Sequence, residues 1–314
     1  MTGYRKLSPA TLQQKLLEAE RLLKKCALCP RKCSVDRTAG ETGYCGVHDR
    51  PVVASWGAHF GEERPLVGRF GSGTIFFSRC NLGCVFCQNW TISHSSTGVR
   101  RDQGGPESEG AEISADKLAR VMLEPQGEGC HNINLVTPTH QMPMILRSLV
   151  AAKDKGLTLP IVYNCGGYES LAALAIIDGI VDIYMPDFKY GNSRAAVEYS
   201  EAEGYTEHAQ AALKEMHRQV GDLVLDERGL AKKGLLVRHL VLPENSAGTE
   251  EVVRFIAEEV SRNTYLNLMD QYHPCYKAHE YPPLDRRTTR KEFMNALGLA
   301  TKAGLRRIDG MTSY

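Results

Sequence analysis

Two rhythms of apolar residues run along this chain, one with a period near 3.6 and one of short continuous runs, and their order predicts its elements. Leu12, Leu16, Leu17, Ala19, Leu22 and Leu23 recur at helical spacing behind Ser8, a residue type that caps helix starts, so a helix is expected over residues 9–24. Apolar runs follow at 74–79, 133–136, 159–163, 181–185, 235–242 and 265–269. Helical patterns lie between them at 114–123, 142–155, 169–177, 193–219 and 249–260, with a last one at 289–303. Short β-branched runs separated by longer helical patterns signify parallel strand–helix units. Six such units, short of the eight of a closed barrel, predict an α/β fold: a partial (β/α)6 TIM-like barrel with an N-terminal Cys-rich metal-binding extension. Residues 52–69 read as an extended linker that carries polar groups, His59, Glu62 and Glu63 among them, toward the barrel mouth. The Gly-, Ser- and Glu-rich stretch 95–112 has no apolar period and reads as a mobile loop. The expected divisions are 1–70 for the N-terminal helix and Cys-rich segment, 71–277 for the barrel, and 278–314 for a C-terminal helical extension.

Composition narrows the class. A chain of 314 residues, 42% of them hydrophobic, can bury one large core. Its 38 basic and 37 acidic side chains leave a formal charge of +1, so no global field points to nucleic acid or to an anionic membrane. No apolar run is long enough to span a bilayer, and the first residues are charged and amphipathic rather than a leader. Ten cysteines in such a chain argue for metal and redox work in a reducing cytoplasm rather than for disulfides.

The cysteines fall into patterns. Cys80-Asn81-Leu82-Gly83-Cys84-Val85-Phe86-Cys87 places three thiols at C-x3-C-x2-C spacing in a turn after the first apolar run. Thiols this close rarely reach bridging geometry. They suit three corners of a cubane iron–sulfur cluster, with one iron left open to bind something else. A three-Cys zinc knuckle completed by a distant His is the alternative. A second set, Cys26, Cys29, Cys33 and Cys45, gives four thiols within twenty residues, flanked by Gly and Pro. Four thiolates close a site, so a further metal centre is expected there; zinc and iron–sulfur both fit the spacing. Cys130, just before the second strand, reads as a structural thiol at the barrel base.

In a parallel barrel the chemistry sits at the C-terminal strand ends. Those ends read Thr137-Pro138-Thr139-His140, Asn164-Cys165-Gly166-Gly167-Tyr168, Pro186-Asp187-Phe188-Lys189, Arg238-His239 with Pro243-Glu244-Asn245, and Asp270-Gln271-Tyr272-His273-Pro274-Cys275. Arg238 and His239 are adjacent on a strand and point to opposite sides, with Arg238 expected inward. His140 is expected to cap the helix after the second strand.

With these residues the chain resembles the radical S-adenosylmethionine (SAM) superfamily, whose motif is C-x3-C-x-aromatic-C, with Phe86 in the aromatic place. Within it the chain is similar to the pyruvate formate-lyase activating enzymes, and to a subgroup carrying the N-terminal Cys motif. The resemblance implies a 4Fe-4S cluster on Cys80, Cys84 and Cys87 whose open iron is chelated by SAM. It implies SAM contacts from Asp187, Lys189 and Arg238, and a place near the adenosine for Tyr272 and His273. The activating enzymes hold the SAM amino group with a Gly-Gly-Glu turn; here Thr137-Pro138-Thr139 stands in its place. The implied reaction is reductive cleavage of SAM, with an electron from a flavodoxin or ferredoxin, to a 5′-deoxyadenosyl radical that abstracts a hydrogen atom. The substrate is either a glycyl-radical protein or a small molecule, for instance in a sugar epimerase. An epimerase would need a thiol to return hydrogen, for which Cys275 and Cys165 are the candidates.

Overall fold

The computed structural model describes residues 3–94 and 110–309. The loop expected over 95–112 therefore lies outside the described residues from 95 to 109. The first helix, α1 (Pro9–Lys24), starts where expected: the Ser8 hydroxyl accepts the Thr11 N–H at 3.1 Å, and Pro9 opens the first turn. Leu12, Leu16, Ala19 and Leu23 are buried against the body of the protein.

The chain continues through β1 (Val52–His59), α2 (Arg64–Val67), β2 (Ser72–Phe77), α3 (Trp90–Ser93), β3 (Ala111–Glu112), α4 (Ala115–Gly127) and β4 (Ile133–Val136). Next come α5 (Met142–Asp154), β5 (Ile161–Cys165), α6 (Leu171–Ile176), β6 (Ile183–Pro186), α7 (Ser193–Ser200) and α8 (Tyr205–Val220). It closes with β7 (Val224–Leu225), β8 (Ala231–Leu240), α9 (Thr249–Phe255), β9 (Tyr265–Met269), α10 (Arg290–Lys302) and β10 (Arg307–Asp309). Each expected parallel strand is present, and boundary shifts have local causes. The third expected strand starts at Ile161 rather than 159, because Pro160 offers no N–H to a ladder.

The sheet order is β10-β9-β8-β6-β5-β4-β2-β1-β3, with β7 beside β8. From β2 to β10 along this order every pairing is parallel, while β1 and β3 add antiparallel strands outside β2. The molecule is thus a mixed α/β protein with one central sheet that stays open, β10 and β3 occupying its edges. The C-terminal part is not purely helical as expected, since β10 joins β9. Among the described residues no helix is long and apolar enough to cross a membrane.

The expectation for residues 52–69 is overturned. They are not a linker to the mouth: β1 runs antiparallel to β2, with Val53 opposite Phe77 and His59 opposite Ser72. The chain therefore descends from the C-terminal strand ends to the opposite end of the sheet. There α2 inserts Leu66, fully buried in a cluster with Val162, Ile183, Met185, Leu223 and Leu236. Glu63 follows it inward, its Oε1 accepting from Asn267 Nδ2 at 3.0 Å. The segment closes the base beneath the functional end.

Candidate functional site

The three-thiol loop leaves β2 through Arg79, whose φ of 71° turns the chain sharply. It is then pinned on both sides: Gly83 N–H donates to Ser200 O at 3.0 Å, Val85 N–H to Tyr199 O at 2.9 Å, and Asn81 Nδ2 to Tyr168 O at 2.8 Å. Phe86 sits edge-on to Tyr190 and Tyr272. So held, Cys80, Cys84, Cys87 and Phe86 line one cavity of about 230 Å³ with Thr137, Asn164, Cys165, Asp187, Lys189 and Arg238. Each sulfur has a polar neighbour: Leu82 N–H donates to Cys80 Sγ at 3.4 Å, the Ser200 hydroxyl to Cys84 Sγ at 2.9 Å, and Ser93 Oγ lies 3.1 Å from Cys87 Sγ. Burial, then the neighbouring Cys84, raises Cys80 well above an ordinary thiol and Cys87 to about 11. Burial thus keeps these groups as neutral thiols until a cation among them offsets the charge of the thiolate, and the hydrogen bonds from Leu82 N–H and the Ser200 hydroxyl favour the thiolate once it forms.

Opposite the thiols lies a preformed ionic chain. Asp187 meets Lys189 Nζ at 2.6 Å and Arg238 Nε at 2.8 Å. Arg238 also donates to Asn164 Oδ1 at 2.8 Å and reaches Glu63 Oε1 at 3.8 Å. Asp187 and Glu63 face the two cations in a site largely shielded from water, and the buried Glu62 carboxyl also acts on Arg238. Burial pushes the Asp187 carboxyl up, but Arg238 and Lys189 outweigh it and hold it below its ordinary value. Burial likewise works against the Lys189 ammonium, and Asp187 with Cys84 overcomes it. Arg238 faces the cavity and His239 faces away, between Phe188 O at 2.6 Å and Thr249 Oγ1 at 2.9 Å, where burial lowers its imidazole to about 4.

Other expected site residues land elsewhere. Thr139 does not line the cavity; its hydroxyl donates to Glu169 Oε1 at 2.6 Å. His140 does not cap α5: it is buried in the turn before that helix, and its Nε2–H donates to Ser78 O at 2.9 Å. Cys275 is not among the described residues around the cavity, whereas Cys165 is. His273 sits outside it, half-buried in the irregular segment after β9, with Nδ1 3.5 Å from Gln88 Nε2. Tyr272 is buried behind Phe86 with its hydroxyl on Leu284 O. Cys130 is buried, with Sγ 3.4 Å from Phe70 O.

Glu169 was missed from the sequence. It is fully buried beneath the wall of the cavity, where Thr139 and, at 3.3 Å, the Tyr163 hydroxyl donate to it. Burial raises its carboxyl to about 7, and hydrogen bonds from Thr139, Cys165 and Tyr163 restrain the rise. Its signal was an acid two residues after the Gly166-Gly167 pair at a strand end. Gly167 has φ of 78°, and a Cβ there would fall 2.3 Å from Asp187 O. Only glycine lets β5 and β6 approach so closely at this end.

The N-terminal cysteines Cys26, Cys29, Cys33 and Cys45 line a second, smaller cavity together with Asn81 and His140. Among the described residues no three His, Cys, Asp or Glu side chains converge tightly enough to form the shell of a single ion. The thiols of each set are spread around a cavity instead.

No known protein-family profile matches the chain. It is 33% identical over 302 residues to the uncharacterized protein MJ0674 of Methanocaldococcus jannaschii, covering 95% of this chain and 81% of that one. It is 25% identical over 304 residues to the uncharacterized protein MJ0808 of the same organism, covering 90% of this chain and 79% of that one. Among solved structures it is similar to a radical SAM methyltransferase from Sphaerobacter thermophilus, with a TM-score of 0.52 and 11% identity, covering 100% of this chain and 96% of that one. At that identity the likeness is one of fold.

Proposed function

This chain belongs to one family with the uncharacterized protein MJ0674 of Methanocaldococcus jannaschii, and we propose that it is a radical SAM enzyme acting in the cavity at the C-terminal strand ends. The observation that carries this reading is the convergence of Cys80, Cys84 and Cys87 with Asp187, Lys189, Arg238 and Asn164 on one cavity. The three thiols would hold a 4Fe-4S cluster, and the chemistry it supplies when bound is one-electron cleavage of SAM to a radical that abstracts a hydrogen atom. The chain's own residues do the rest. The paired charges of Asp187, Lys189 and Arg238 present a zwitterion-binding wall that is already organised, so binding costs little reordering. Thr137 and Asn164 add polar atoms at the rim, and Phe86 and Leu240 exclude water. The electron donor in this reading is a flavodoxin or ferredoxin, and the N-terminal cysteines form a second metal centre on its route.

Hydrogen abstraction from a glycyl-radical protein is one use of such a site. Abstraction from a small molecule is the second reading, favoured by Cys165: a buried thiol in the cavity wall, kept protonated by its burial, is placed to return hydrogen. Anaerobic reconstitution with iron and sulfide, followed by reduction with SAM, tests the reading. Formation of 5′-deoxyadenosine by wild-type protein and its loss in Cys84→Ala are expected. Iron-loaded protein that leaves SAM intact would refute it.

A further inference from the structure

We propose that Ser200 and Tyr190, neither of them in the cysteine motif, form a buried two-hydroxyl relay that sets the reduction potential of the cluster through Cys84. The inference rests on the reading that Cys80, Cys84 and Cys87 hold an iron–sulfur cluster. Ser200 is the last residue of α7, where a serine can return its hydroxyl to the carbonyl four residues back. Here that carbonyl, Ala196 O, accepts the Ala202 N–H at 3.1 Å, and the Ser200 hydroxyl turns to the three-thiol loop. It donates to Cys84 Sγ at 2.9 Å, and the Tyr190 hydroxyl lies 2.6 Å from its oxygen. A serine hydroxyl has one proton to give and Cys84 takes it, so the Tyr190 O–H donates to Ser200. The direction of both bonds is thereby fixed, and both run toward the sulfur.

Burial sets this arrangement apart from those at the other two sulfurs. Ser200 and Tyr190 are both 0% exposed, and the Tyr190 ring packs against Phe86, Tyr199 and Tyr205 at centroid distances of 6.4, 6.5 and 5.4 Å. Cys80 accepts a backbone N–H at 3.4 Å, and the half-buried Ser93 beside Cys87 is shared with His94 Nδ1 at 2.9 Å. A neutral thiol is a weak acceptor, so two buried hydroxyls that end on one are poorly satisfied. A metal-bound thiolate completes them, and the extra electron of the reduced cluster strengthens the bond further. The same stretch of α7 fixes the loop: the N–H groups of Gly83 and Val85, the two neighbours of Cys84, donate to Ser200 O and Tyr199 O. Hydroxyl and sulfur are therefore held in register from both sides.

On reduction the cluster gains one electron from the flavodoxin- or ferredoxin-type donor, which is oxidised by one, and both hydroxyls keep their protons. By stabilising the more negative state, the relay raises the potential, so that a weaker reductant suffices. The test is the midpoint potential of the reconstituted full chain without SAM, read in protein poised at a series of potentials from the electron paramagnetic resonance signal that Cys84→Ala abolishes. Ser200→Ala should make the cluster about tenfold harder to reduce, a potential about 59 mV lower for one electron. Tyr190→Phe keeps the ring and its contacts, and should make it about twofold harder, about 18 mV lower. A merely structural role predicts the opposite sign, because loosened packing admits water, whose dielectric favours the more charged reduced state. If Ser200→Ala does not retain the cluster, Tyr190→Phe decides alone. An unchanged or raised potential in the cluster-loaded variants would overturn the relay and leave the proposed function standing, whereas wild-type protein that takes up no cluster would overturn both.

Discussion

Replacing Glu169 by Gln tests the electrostatics beneath the cavity through a change in how stability depends on pH. The carboxyl is 1% exposed, and its burial raises it to about 7 from an ordinary 4.5. Folded protein therefore keeps this proton across a window in which the unfolded chain has released it. The contribution to stability is complete below about pH 4.5, falls through the window, and is lost above about pH 7. At about 1.4 kcal/mol per pH unit, the two and a half units of the window amount to about 3 kcal/mol. Gln mimics the protonated acid at every pH and adds only a constant offset of about 1 kcal/mol for altered hydrogen bonds to Thr139 and Tyr163. Urea unfolding of both proteins at pH 4.5, 6, 7 and 8, with matched metal content, isolates the effect, because other titrations cancel in the difference. The stability of Glu169→Gln relative to wild type should rise by about 3 kcal/mol from pH 4.5 to 8. A difference that stays constant within about 1 kcal/mol would show that the three hydrogen-bond donors, rather than burial, govern the carboxyl.

Asp187→Asn leaves Arg238 and Lys189 facing each other without their shared carboxylate and should cost about 2–3 kcal/mol in urea unfolding, below the value for fully buried pairs because the site is partly wet; a loss under about 0.5 kcal/mol would deny the pairing. Gly167→Ala drives a Cβ into Asp187 O and should weaken SAM binding, read by equilibrium dialysis, more than about tenfold while the protein stays folded; unchanged binding would refute the link. Leu66→Ala empties the plug at the base and should cost about 3 kcal/mol with SAM binding retained; a loss under about 1 kcal/mol would show that the base refills.

Much of this protein was legible in one dimension because its determinants are local. Ser8 caps its helix through a residue three positions on, the parallel strands announce themselves by apolar runs, and Cys80, Cys84 and Cys87 share a single turn. Arg238 and His239 point to opposite sides by the period of a strand alone. What only the tertiary structure decided involves partners distant in sequence. Residues 52–69 run to the base, because the outer edge of β2 pairs with β1 in the antiparallel sense, and β1 buries only Val53 fully and so leaves a weak pattern. Glu169 acquires its character from Thr139 and Tyr163, which β4 and β5 bring over it. Ser200 and Tyr190 are ordinary polar residues in sequence, and reach Cys84 only when α7 folds against the three-thiol loop, 116 positions from Ser200. Motif spacing reports covalent neighbours; burial, which sets the cost of each charge, is a property of the folded whole.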